Sequence, residues 1–204
     1  MHTDSAGTTD SAPTNRRSRL TPEREAEIHV ATLDLLRTTG YAALTMEAVA
    51  ARAKASKATL YRQWQSKPRL VAAALRHNKR MSLVGLNTGS LRGDLHETAR
   101  RVAHGAAPDT ALLAAMAHAI LGDPELGLAV RETIVDPEGV VLDQVIARAV
   151  DRGEIAPDNP AVGLLAHLLI GAVTGRPLIE GCIADEEYLH RYIDAVVLPV
   201  LRRP

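Results

Sequence analysis

The chain contains no Phe, one Trp, one Cys and four Met in 204 residues, and aromatic residues make up 2% of the whole. A single thiol excludes an internal disulfide, and without a Cys cluster the thiolate zinc motifs are excluded too. A reducing cytoplasm is therefore the expected setting. No long hydrophobic run is present: the uncharged stretch from Asn159 to Gly175 falls short of the roughly 20 residues that cross a bilayer. It reads as a buried helix, so no membrane partner is expected. The opening Met1 to Gly7 has neither the basic region nor the apolar core of a signal peptide, and no export is expected. A Walker A loop, a Gly-x-Ser-x-Gly elbow and a His-Glu-x-x-His motif are all missing. His104, His118 and His167 lie 14 and 49 residues apart, which fits no local metal motif. No cofactor, metal or catalytic residue is expected.

What is present is an apolar content of 46%, and a chain of this length buries about 70% of its unfolded surface. The 24 Lys+Arg balance the 24 Asp+Glu, but unevenly along the chain. Residues 1–80 hold 14 basic and 7 acidic side chains, leaving 10 and 17 for residues 81–204. A basic first part and an acidic second part are the footprint of one module that meets a polyanion and another that does something else.

Residues 1–18 are mostly Ser, Thr, Asp, Gly, Ala, Pro and Arg with almost nothing apolar, the composition of a disordered tail. Thr21-Pro22-Glu23 then has the cap, the first-position proline and the first-turn acid of a helix start, and Ile28, Ala31, Thr32, Leu35 and Leu36 follow at helical spacing up to the stop at Gly40. Three further helices are expected over residues 45–53, 56–64 and 66–81, each opened by Ser or Thr. Downstream breaks fall at Gly89-Ser90, residues 105–108, Gly122-Asp123-Pro124, Asp136-Pro137, residues 153–160 and residues 181–184. No stretch alternates like a strand. The expected fold is all-α, with nine or ten helices: a three-helix unit at 19–66 and a larger helical unit at 67–204.

Within the first unit, Met46, Val49, Ala50 and Ala53 make one apolar face, Lys54-Ala55-Ser56 a tight connection, and Leu60 with Trp64 the facing side. That is helix-turn-helix spacing. The outward residues of the second helix, Lys57, Ala58, Thr59, Tyr61 and Arg62, combine donors, a methyl-bearing hydroxyl and a flat ring, a set able to read base edges and grip phosphate.

These residues resemble the TetR family of bacterial transcriptional regulators. The resemblance rests on Thr39-Gly40-Tyr41, Thr45-Met46-Glu47-Ala48-Val49-Ala50, Ala55-Ser56-Lys57-Ala58-Thr59-Leu60-Tyr61-Arg62 and Ser66-Lys67-Pro68-Arg69-Leu70. It implies all-helical dimers whose first three helices bind double-stranded DNA operators and whose remainder binds a small ligand. Under it, Thr45 and Ser56 cap their helices and offer phosphate contacts, Lys57, Thr59 and Arg62 lie nearest the bases, Tyr61 packs on sugar or phosphate, and Lys67 grips a flanking phosphate. Arg16, Arg17 and Arg19 trail into a minor groove or stay solvated. The chain departs from the family pattern at Lys54, where the turn usually has Gly, and at Trp64, where it usually has Phe. Lys54 adds a charge beside the expected DNA backbone, and a positive φ there costs on the order of 1 kcal/mol.

For the second unit, Leu165, Leu169 and Val173 on one helix, with Leu189, Tyr192, Ile193, Val196, Val197 and Val200 on the next, form wide apolar stripes. They read as a homodimer interface or as the chain's own core, because periodicity does not say whose surface is covered. Only Tyr188 and Tyr192 are aromatic in residues 81–204. A pocket there would be aliphatic, lined by Leu113, Met116, Ala117 and Ile120 with Arg101, His104 and His167 for polarity, which suits a small apolar effector. The expected function is a ligand-responsive transcriptional repressor released from a palindromic operator. The rival is a helical carrier or enzyme with a vestigial helix-turn-helix.

Overall fold

The computed structural model describes residues 20–79, 82–106 and 110–202. The proposed basic arm, Arg16, Arg17 and Arg19, lies outside them. Among the described residues every regular element is helical. In chain order these are α1 (Pro22–Ala43), α2 (Met46–Arg52), α3 (Lys57–Trp64), α4 (Lys67–Asn78), α5 (Leu91–Ala106), α6 (Thr110–Gly122), α7 (Pro124–Val130), α8 (Asp136–Asp151), α9 (Leu165–Glu180), α10 (Glu186–Tyr192) and α11 (Leu198–Leu201).

Local chemistry sets most of these boundaries. Thr21, Thr45, Ser56 and Ser66 each accept a backbone N–H of the first turn through the side-chain hydroxyl, opening α1 to α4 in succession. Gly40, at φ 77°, breaks the course of α1 near its end. The fourth helix stops at Asn78 rather than at Met81, and Glu138 of α8 captures the chain beyond it, accepting from Lys79 Nζ at 2.5 Å and from Leu83 N at 2.9 Å. Asp123 and Asp185 cap α7 and α10.

The break expected at Asp136-Pro137 is absent, because α7 runs into α8 through a π-helical turn, Arg131–Val135. A proline ring clashes with the carbonyl four residues back, and the wider π turn gives that carbonyl room. The same device precedes Pro199, where Ile193–Val197 joins α10 to α11. Counting each joined pair once, the described residues form nine helices, α1 being kinked at Gly40.

Among the described residues, two apolar cores hold the chain. The first joins Ile28, Leu33 and Leu36 of α1, Val49 of α2, Leu60 and Trp64 of α3 and Leu70 and Val71 of α4 to Leu112, Met116 and Leu126 of α6 and α7. The second gathers Leu91 and Leu95 of α5, Val145 and Ala149 of α8, Leu165 of α9, and Leu189, Ile193, Val197 and Leu201 at the C-terminal end.

Helix α9 corrects the expectation of a buried segment. The stretch Val162–Glu180 has a mean hydropathy of 1.6 and is long and apolar enough to cross a membrane by length and composition, yet 11% of it is buried in the single chain. It starts at Leu165, after a short 3-10 turn, because Asn159 is used elsewhere: its side-chain amide donates to the Leu201 carbonyl at 2.8 Å, and its carbonyl oxygen accepts from Ala161 N. Leu165 and Ala172 are its buried residues.

Candidate nucleic-acid interface

Seven- and eight-residue helices are marginal alone, and α2 and α3 stand because Met46, Val49, Ala50 and Ala53 meet Leu60 and Trp64 over α1 and α4. Gln63 on α3 also donates to Glu25 of α1 at 2.8 Å. With its inner face so occupied, α3 turns Lys57, Ala58, Tyr61 and Arg62 to solvent. Thr59 is half-buried instead, its hydroxyl 2.7 Å from that of Ser56 and its N–H donating to the same cap. Thr45, Lys54 and Ser56, at the turn and the two helix starts, are exposed.

The turn itself is strained at one point. Lys54 has φ 50°, a left-handed conformation that costs a side chain-bearing residue on the order of 1–2 kcal/mol. Gln65, just past α3, is the other non-glycine residue with positive φ among those described, at 67°.

The electrostatics of the outer face are not free-standing. Lys57 forms an ion pair with Glu47 at the start of α2, and its ammonium lies 5.7 Å from the centroid of the Tyr61 ring. Their hydrogen bond holds the Glu47 carboxyl below its usual range and lifts the Lys57 ammonium above its own. Lys67 is half-buried, donating to the Tyr41 carbonyl at 3.1 Å with its ammonium 4.1 Å from that ring's centroid. An ammonium carries three donors, so phosphate contact remains open to it.

Beneath Trp64 lies His29, 8% exposed, with no hydrogen-bond partner recorded for either ring nitrogen and its centroid 5.4 Å from Trp64 and 5.0 Å from His77. Burial, with His77 adding repulsion, brings its pKa down to about 4.

Several partners of this surface carry no local sequence signal. Arg24 of α1 donates through Nη2 to the carbonyls of Ala53 and Lys54, at 2.5 and 2.7 Å, from 29 and 30 residues away. Glu47 meets Lys57 from ten residues earlier in the chain, across the turn. At the seam with the second half, Ser66 donates to Glu125 at 2.6 Å and Tyr41 donates to Asp123 at 2.6 Å.

The expected effector-pocket residues do not converge. Met116 is buried and Ile120 half-buried against the first core, because that stripe of α6 seats the helix-turn-helix unit. Arg101 bonds Glu97 and the carbonyls of Ser82 and Val84, while His104 and His167 are exposed. The side chains of Leu113 and Ala117 are outside those described. An open groove lies instead beside the turn, lined by Arg24, Glu27, Val30, Asp34, Arg52 and Lys54 among others.

The expected dimer stripe divides. Leu165, Leu189, Ile193 and Val197 are buried in the chain's own core, so they have no surface to offer a partner. Leu169, Val173, Tyr192, Val196 and Val200 are half-buried. The exposed apolar residues of this region are Leu164, Ile170, Leu178, Ile179 and Ile183.

A helix-turn-helix resting on an all-helical second half defines a DNA-binding protein of the transcription-regulator class. Residues 28–74 match the family model for bacterial regulatory proteins of the tetR family, and residues 86–196 match the tetracyclin repressor-like C-terminal domain. The chain is 35% identical over 181 residues to an uncharacterized HTH-type transcriptional regulator of Mycobacterium tuberculosis, covering 88% of this chain and 89% of the relative. It is also 35% identical over 185 residues to the DNA-binding transcriptional repressor TetR of Mycobacteroides abscessus, covering 88% and 94%. A TetR family transcription regulator of known crystal structure superposes with a TM-score of 0.64 at 29% identity, over 89% of this chain and all of the other. The flavonoid-responsive regulator FrrA shares the fold at a TM-score of 0.66 and 23% identity, over 89% and 97%. The chain belongs to the TetR family of DNA-binding transcriptional regulators, which bind operators and are not enzymes.

Proposed function

We propose that the protein acts in the cytoplasm as a dimeric repressor, whose 19–66 unit binds a palindromic operator and whose 67–204 unit dimerises and takes up a small apolar effector that releases it. The observation that carries the DNA reading is the outward set Lys57, Ala58, Tyr61 and Arg62 on a helix fixed from behind by Leu60 and Trp64. A helix so mounted enters a major groove with Lys57 and Arg62 reaching guanine N7 and O6, and with Tyr61 packing on sugar or phosphate. Thr45, Lys54, Ser56 and Lys67 contact phosphate, and Thr59 presents its methyl group, since its hydroxyl is taken up by the cap.

Dimerisation is carried by α9. His167, Gly171, Gly175 and Leu178 recur at three- and four-residue spacing along one flank of the helix, round to one side of the buried Leu165 and Ala172. Apart from the neighbouring residues and the helix's own backbone, nothing stands within 4 Å of where a Cβ would be at either glycine, so a second copy of α9 can approach closely there. The scarcity of aromatic residues in 81–204, Tyr188 and Tyr192, is what favours an aliphatic effector over a flat aromatic one.

The test is selection of bound duplexes from a randomised DNA library with purified protein. A recovered palindrome supports the reading. Recovery of no sequence above background at low ionic strength rejects it.

A further inference from the structure

We propose that Arg24 is a positioning residue for DNA recognition: its guanidinium holds the left-handed turn at Lys54 and thereby fixes the direction in which α3 leaves α2. The inference rests on α3 being the DNA-contacting helix. The chain must reverse within Lys54-Ala55-Ser56, since Ala53 closes α2 and Ser56 already caps α3. The dihedral angles of Lys54 therefore set the angle between the two helices. Glycine adopts φ 50° without steric cost, and lysine does not.

The carbonyls of Ala53 and Lys54 lie at the C-terminal end of α2, where acceptors are left without intrahelical partners and the helix dipole is negative. Arg24 Nη2 donates to both. Its Nη1 is paired with Glu27 one turn along α1, which orients the planar group toward the turn. An extended Lys54 would point the two carbonyls apart, and a right-handed one, which keeps them parallel, would swing the Lys54 carbonyl to the other side of the α2 end and away from Arg24, so the clamp favours the strained state. The clamp is also anchored away from the reader, because α1 packs along α4 through Ile28 and Leu36 in the first core.

A simple phosphate-binding role for Arg24 predicts the opposite pattern in one substitution background. Four proteins serve as the test: wild type, Arg24→Ala, Lys54→Gly and the double variant. Binding is measured on a duplex selected from a randomised library with the wild-type protein, and exchange of the Ala55 amide, which donates to Ala50 O at 2.9 Å, is followed by NMR without DNA. Arg24→Ala should weaken duplex binding and speed Ala55 exchange by about ten-fold each, the equivalent of ~1.4 kcal/mol. Because Lys54→Gly removes a phosphate contact of its own, the cost of Arg24→Ala is read within each background: in the Lys54→Gly protein it should nearly vanish, in duplex binding and in Ala55 exchange alike. If Arg24→Ala costs as much duplex affinity in the Lys54→Gly protein as in wild type, Arg24 is a phosphate contact and the proposal fails. Unchanged exchange in Arg24→Ala also overturns it. If Arg24→Ala does not fold, a folded, DNA-binding double variant supports the clamp and an unfolded one overturns it. A wild-type protein that selects no duplex defeats the DNA reading, while the exchange measurement still decides the clamp.

Discussion

The Tyr41 hydroxyl donates to the Asp123 carboxylate at 2.6 Å, joining the end of α1 to the cap of α7 across 82 residues of sequence. Asp123 spends its other oxygen on the N–H groups of Glu125 and Leu126, so one carboxylate both opens α7 and holds the helix-turn-helix unit. Burial raises the Tyr41 hydroxyl's pKa, and the bond to Asp123 raises it further, while the same bond holds Asp123 below its usual range.

Replacing Tyr41 by Phe keeps the ring over Lys67 and removes the hydroxyl. A hydrogen bond to a charged acceptor contributes on the order of 1–2 kcal/mol at such a half-buried site. Thermal unfolding of Tyr41→Phe should shift down by about 2–8 °C. An unchanged midpoint would show that the bond contributes nothing.

Acidification should destabilise the protein through His29. Its folded pKa of about 4 lies below the ordinary 6.5, so between those values the unfolded chain binds the extra proton. The stability from keeping this ring neutral is fully present above pH 6.5, declines as pH falls toward 4, and amounts to on the order of 3 kcal/mol at the limit. Asp123 also loses stabilisation on acidification, but only below its ordinary carboxylate range. Denaturant unfolding of His29→Leu from pH 7 to 4 should be flatter than wild type. Parallel curves would remove His29 as the cause.

Charge on the exposed face of α9 should separate subunits. Leu178→Asp and Ile170→Asp place carboxylates where the single chain leaves 88% and 52% of the residue exposed, so neither disturbs its own core. Sedimentation should show folded monomers. Ile193→Asp, by contrast, should unfold the chain, since Ile193 is 1% exposed. A wild-type monomer at micromolar concentration would reject the dimer.

Base contacts and phosphate contacts should part company on salt and sequence. Arg62→Ala should cost about 1–3 kcal/mol on the preferred duplex and relax choice at one base pair. Lys54→Ala should weaken all sequences alike and lower the salt slope by about one. Equal loss on every sequence for Arg62→Ala would move it to the phosphate group.

The parts that could be read from the sequence are those fixed by neighbours in the chain. Thr21, Thr45, Ser56 and Ser66 cap their helices where their spacing from the apolar runs says they should, and Lys54 takes the left-handed conformation that its place in the turn demands. Arg24, Asp123 and Glu138 could not be assigned, because each finds its partner 29 to 82 residues away and no periodicity encodes that distance. The stripes of α6 and α9 were visible, but a stripe does not name what covers it. Met116 turned to the first core and Leu165 to the second, leaving Leu178 outside. Pro137 and Pro199 show the same limit, since a proline signals a break that a π turn can absorb.

The most direct measurement is guanine methylation interference on the selected duplex, because the N7 methyl group stands in the major groove. The account predicts that methylation blocks binding at guanines in two half-sites, and that Arg62→Ala loses sensitivity at one guanine in each. Binding that tolerates N7 methylation throughout, but fails on adenine N3 methylation in the minor groove, would contradict the assignment of α3 as the reader.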